Sequence, residues 1–153
     1  MKKLLLTLFL SLTIMFGFSQ TYNMTDGSTI NTCTGTFYDP EGTSPYIDHN
    51  GTITQTFCSD NGNSIKFIFT AFETTENKDV LKIYDGPTTA ATLIGTYDKT
   101  DVIPNIVSTG TCITFEWTTD NGGDGTVGWV ANISCVVAET CFDGIMNQDE
   151  TWY

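Results

Sequence analysis

Strict period-two alternation governs two stretches, CITFEWT (112–118) and GWVANIS (128–134). Ile113, Phe115 and Trp117 share one face of the first, against Thr114, Glu116 and Thr118. Trp129, Ala131 and Ile133 share one face of the second, against Val130, Asn132 and Ser134. Successive side chains of a strand point to opposite sides, so this alternation marks strands with one buried and one wet face. The intervening TDNGGDGTV is rich in residues that tolerate positive φ, so the two runs are expected to form a hairpin. Further strands are expected at 34–38, 52–58, 65–72, 79–85, 92–98 and 105–109, with turn clusters such as SDNGN and DGPTT between some of them. Past the leader, no segment places apolar residues at i, i+3, i+4 and i+7. The expected fold class is all-β, an antiparallel β-sandwich.

The leader is MKKLLLTLFLSLTIMFGFS, residues 1–19. Lys2 and Lys3 precede an apolar run from Leu4 to Met15, then small residues precede Gln20. That is the pattern of a secretory signal peptide, too short for a stable membrane span. Cleavage is expected near Ser19, and no later run approaches membrane length. Removing the leader leaves four lysines against eighteen acids, a formal charge of about −14, with no arginine anywhere. Such a surface repels phosphate backbones, so nucleic acid is excluded as a partner and cations or basic groups are favoured.

Five cysteines in an exported chain suggest two bridges and one leftover. In the expected hairpin Cys112 opens one strand and Cys135 closes the other, so these two are expected to pair. Cys33 and Cys58, at similar spacing, make the other expected bridge. Cys141 is left unpaired, its expected partner lying beyond Tyr153. The organisation that follows is a leader (1–19), an N-terminal segment (20–32), one domain (33–135), and a linker leading into a further acidic element (136–153).

The charged residues gather in FETTENKDVLKIYDG, where Glu73, Glu76, Asp79 and Asp85 surround a short apolar run. Crowded acids raise one another's pKa unless water or a cation separates them. Glu73 ends one expected strand, Asp79 begins the next, and Asp120 opens the hairpin loop. Strand ends of a sandwich converge at its rims, and calcium takes oxygen ligands from such loops. Asp and Glu also favour turns in any secreted β protein, so on spacing alone a surface role is the simpler reading.

The order FIFTAFET, KDVLKIYDG, CITFEWTTD and GWVANISC resembles the CUB domain, an extracellular β-sandwich of jelly-roll type, over roughly residues 33–135. In calcium-binding members one Glu and two Asp supply side-chain ligands, helped by loop carbonyls and by a Tyr that orients the Glu. The resemblance therefore implies a Ca2+ site with Glu73, Asp79 and Asp120 as ligands. Asn121, Gly122 and Gly123 would supply loop oxygens and Tyr46 the orienting hydroxyl, with Tyr38 as second choice. It also assigns Asp85 to holding the YDG turn and leaves Glu76 solvated. The cysteines depart from the common family pattern, since Asn77 and Tyr97 stand near the places of its second bridge. This variant resembles the CUB-type domains of secreted multidomain bacterial proteins. The tail CFDGIMNQDET looks like the opening of the cysteine-bounded repeats of similar proteins. Asp143, Asn147, Asp149 and Glu150 are oxygen donors there, although a flexible acidic linker explains them equally well.

Other chemistry is poorly supplied. His49 is the only histidine and has no Cys or His at zinc-ligand spacing and no nucleophile motif. Glu73 and Asp79 are the one carboxylate pair to weigh for glycoside hydrolysis, but a small sandwich offers no deep cleft. Trp117 and Trp129 fall on inward faces and read as core, whereas Trp152 lies in the tail. The triplets NMT, NGT and NIS match glycosylation acceptors, which matter only in a host that modifies them.

The function expected is a non-catalytic extracellular calcium-binding module within a larger secreted protein, binding a protein or glycan, with basic side chains of the partner drawn to the acids. The alternatives are an accessory domain of a secreted hydrolase whose catalytic part lies outside this chain, and a calcium-independent structural spacer.

Overall fold

The computed structural model describes residues 20–45, 50–74, 79–99, 101–120 and 126–137. Among them there are ten strands and no helix. The strands are β1 (Thr21–Asn23), β2 (Ser28–Asn31), β3 (Thr34–Tyr38), β4 (Gly51–Cys58), β5 (Ser64–Glu73), β6 (Val80–Asp85), β7 (Thr92–Asp98), β8 (Ile106–Val107), β9 (Cys112–Thr119) and β10 (Gly128–Val136). They form two five-stranded sheets, ordered β1-β3-β10-β5-β8 and β2-β4-β9-β6-β7. The sandwich is antiparallel except at one edge of each sheet, where β1 pairs parallel to β3 and β2 parallel to β4. These two strands come from 20–32, where the alternation is too short to register.

The alternating faces meet in the core. Phe37 and Phe67 from one sheet interleave with Phe57 and Phe115 from the other, with ring centroids 4.8–6.2 Å apart and planes steeply inclined. Such inclined packing places the positive edge of one ring against the negative face of the next. Trp117 and Trp129 cross the sheets in the same manner at 4.9 Å and are fully buried. On the outer face of the second sheet, polar side chains pair across strands. Lys82 Nζ donates to Glu116 Oε1 at 2.9 Å, and Tyr84 donates to the same oxygen at 3.3 Å.

The expected hairpin of 112–118 with 128–134 does not form, because β9 and β10 lie in different sheets and the chain between them crosses the sandwich. The expected disulfides fail with it. The bridges are Cys33–Cys135 and Cys58–Cys112. Cys112 and Cys135 belong to strands of different sheets, and Cys33 leads into β3 of one sheet while Cys58 ends β4 of the other. Each cysteine instead joins its neighbour across the ladder. Cys58 pairs directly opposite Cys112 in the β4/β9 register, and Cys33 precedes Thr34, which lies opposite Ser134. Cys141 lies outside the described residues.

Candidate metal centre at one rim of the sandwich

The bridges close one end of the sandwich, and Glu73, Asp79 and Asp120 lie at the other. Glu73, the last residue of β5, sits opposite Gly128, the first of β10. In the facing sheet Val80, which follows Asp79, sits opposite Thr118, and Thr119, which precedes Asp120, sits opposite Gly51. The connections 74–79 and 120–127 are short, so all these strand ends share one rim. The register thus brings Glu73, Asp79 and Asp120 to the same end of the molecule, above the Trp117/Trp129 pair.

Their environments differ. Glu73 is exposed, Asp120 is half-buried, and Asp79 has no exposed surface. Thr74 ties the Asp79 backbone to the end of β7. Its N–H donates to the Lys99 carbonyl at 2.8 Å, its Oγ1 accepts from the Lys99 N–H at 2.8 Å, and that hydroxyl donates to the Asp79 carbonyl at 3.3 Å. A carboxylate removed from water carries a large desolvation cost, which a nearby cation lowers. The donors at this rim are all oxygens, the chemistry that calcium prefers over thiolate or imidazole. Burial and donor type therefore fit the ion. Among the described residues, however, no three Asp, Glu, His or Cys side chains stand close enough together to hold a metal. Asn121, Gly122, Gly123, Tyr46 and Glu76 lie outside the described residues. Tyr38 ends β3 at the same rim, half-buried. Asp85 lies at the other end, where its Oδ1 accepts from the Thr109 N–H at 2.9 Å and so ties the loop before β9 to the end of β6.

Sequence reasoning missed Asp39. It continues the alternation of β3 inward, after buried Phe37 and outward Tyr38, and this inward phase was the signal available. Its carboxylate is fully buried, with Oδ1 accepting from the Glu41 N–H at 2.8 Å and Oδ2 from the Trp129 N–H at 3.2 Å. Burial raises its pKa from 3.8 to about 6, against the lowering effect of those backbone donors. It thereby fastens the 39–45 turn to the start of β10.

Two results follow from this bracket. The folded state holds the Asp39 proton more tightly than the unfolded chain does, so this group's contribution is fully present below about pH 3.8 and is lost as pH rises through about 6. Between pH 7 and pH 5 in EDTA, wild-type stability should rise by about 1 kcal/mol from this group. Asp39→Asn should lack that increment in denaturant titrations at the two pH values. Gly128 has φ +67°, and a Cβ there would stand 1.9 Å from Asp39 Oδ2. Gly128→Ala should therefore cost about 2–3 kcal/mol, read from the urea midpoint, through backbone strain and displacement of the carboxylate.

Residues 26–132 match the family model described as the CUB domain. Among solved structures, the CUB1-EGF-CUB2 fragment of human MASP-1/3 is similar at 18% identity and TM-score 0.60, the match covering 72% of this chain and 42% of that one. The MASP-1 CUB2 domain bound to Ca2+ is similar at 19% identity and TM-score 0.60, covering 72% of this chain and 100% of that domain. The corresponding rat MASP-1 fragment matches at 18% identity and TM-score 0.59, over 72% and 40% of the two chains. The present chain thus spans less than half the length of the multidomain fragments. At such identities the structural likeness speaks to the fold, and the family match speaks to descent. With its two five-stranded sheets and a family match over most of its length, this chain belongs to the CUB family.

Proposed function

We propose that this chain is a non-catalytic, calcium-binding CUB module that binds a protein or glycan within a larger secreted protein. CUB domains are typically extracellular protein-interaction modules, and two disulfides suit an oxidising compartment. The observation that carries the calcium reading is the placement of Glu73, Asp79 and Asp120 at the same end of the sandwich, with Asp79 fully buried. Glu73, Asp79 and Asp120 would supply carboxylate oxygens and Asn121, Gly122 and Gly123 loop oxygens, with Tyr46 orienting Glu73. A bound ion would offset the charge of these acids. The rim then forms an acidic surface to which Lys or Arg of a partner is drawn. A similar domain, MASP-1 CUB2, binds Ca2+, which lends the reading support. Residues 1–19 act as a secretory leader and 136–153 lead into a further acidic element.

Calorimetric titration of calcium into the chelator-stripped protein tests the reading. One saturable site is expected, and Asp79→Asn should eliminate its heat. A flat titration of the folded wild type, or an unchanged titration of the variant, would reject it.

A further inference from the structure

On one side β5 is paired by β10 from Ser64 to Glu73, interrupted only by a bulge at Thr70. On its other side only Lys66 and Phe67 are paired, by β8. From Ile68 to Glu73 that edge has no strand partner among the described residues. The chain leaving β7 passes this edge without joining it. It is fastened at Thr74 through Lys99 and returns to the sheet at β8. Between these points it turns on itself, with the Asp101 N–H donating to the Asp98 carbonyl at 3.0 Å and the Asp98 N–H to Asp101 Oδ2 at 3.0 Å. Pro104 has no N–H to offer. Among the described residues, no backbone hydrogen bond joins 101–105 to β5. A groove of 230 Å³ results, with residues 69–72 of β5 on one side and Asp101, Val102 and Ile103 on the other.

We propose that this edge of β5 docks an extended strand of a partner protein, which places one apolar side chain in the groove and a Lys or Arg beside Asp101. An open edge presents a row of backbone donors and acceptors, and adding a strand satisfies them while alternate side chains enter pockets. Proteins commonly blunt such edges with Lys, Pro or bulges; IFTAFE, residues 68–73, contains neither Lys nor Pro and carries one bulge, at Thr70. The groove is smaller than the roughly 300–1,000 Å³ of small-molecule pockets, which suits a single side chain. Val102, 91% exposed, stands at its mouth, while buried Ile103 anchors the wall.

Charge selects the occupant. Among the described residues Asp101 is the one charged residue lining the groove, and the chain carries −12 overall. A second copy would bring the same charge and set Asp101 against acids. Residues 138–153 contain four acids and no lysine, so they are equally mismatched. A basic strand from a different protein is complementary. Among the described residues none of the proposed calcium ligands lines the groove, while Glu73 ends the same edge, so docking is tested without calcium.

The test is fluorescence anisotropy in EDTA with a labelled eight-residue peptide of alternating Lys and Val. An alternating Glu and Val peptide and a fully backbone N-methylated Lys and Val peptide serve as comparisons. Saturable binding is expected for the first peptide alone. It should weaken about tenfold in the double variant Asp101→Asn, Val102→Ser, which keeps the acceptor for the Asp98 N–H and alters an exposed side chain. Hydrogen exchange should show new protection at 68–73. Absence of saturable binding, or binding indifferent to N-methylation or to the double variant, would overturn the proposal, as would protection confined to other strands.

Discussion

Replacing Cys33 and Cys135 together by alanine is expected to lower stability by about 4–5 kcal/mol. The bridge spans 102 residues of sequence, and a closed loop of that length removes the most freedom from the unfolded chain. Removing Cys58 and Cys112, separated by 54 residues, should cost slightly less, about 4 kcal/mol on the same chain-entropy relation. The double variant Cys33→Ala, Cys58→Ala is the informative comparison. It takes one partner from each bridge and leaves Cys112 and Cys135 in different sheets, so it should lose nearly the sum of both effects. Were Cys33 bonded to Cys58, that variant would lose only one bridge. Urea unfolding of the three variants, with peptide mapping under non-reducing conditions, separates these outcomes.

Phe37→Ala is expected to cost about 3–5 kcal/mol. Phe37 has no exposed surface, and its ring meets Phe57 at 4.8 Å, Phe115 at 4.9 Å, Trp129 at 5.9 Å and Phe67 at 6.2 Å. Its neighbours belong to both sheets and are held by their own ladders, so they cannot collapse far into the cavity. Phe37→Leu keeps most of the volume and should lose under half as much. Because Phe37 lies two residues before Asp39, the larger cavity should also reduce the protection of the Trp129 amide from hydrogen exchange.

The strands were legible in the sequence because alternation is a local property. TITQTFC, IKFIFTAF and CITFEWT each carry it, and each forms the strand expected. What alternation does not encode is which sheet a strand joins, since the inner faces of both sheets show the same pattern. Val80, Cys112 and Gly128 all begin well-marked strands, yet β10 pairs with β3 and β5 rather than with β9. The hairpin and both disulfide pairings failed for that one reason. β1 and β2 escaped notice because three- and four-residue strands owe their form to distant parallel partners, such as Thr21 opposite Thr36 and Ser28 opposite Gln55. At the rim, Glu73, Asp79 and Asp120 were recognisable as strand-end acids. Asp39 was not, because DP reads as a turn, and only the facing Trp129 N–H and the room left by Gly128 reveal its bracing role.

The calcium reading can be tested most directly by thermal melting of the oxidised chain from Gln20 onward, in EDTA and in millimolar calcium, alongside Asp79→Ala and Asp120→Ala. An ion present at about one hundred times its Kd adds roughly 2.7 kcal/mol to the folded state, a rise in Tm of about 10 °C for a domain of this size. That rise is expected in the wild type, little of it with magnesium, and none in either variant. An unchanged wild-type Tm, or a rise that survives both substitutions, would contradict the assignment of this rim to calcium.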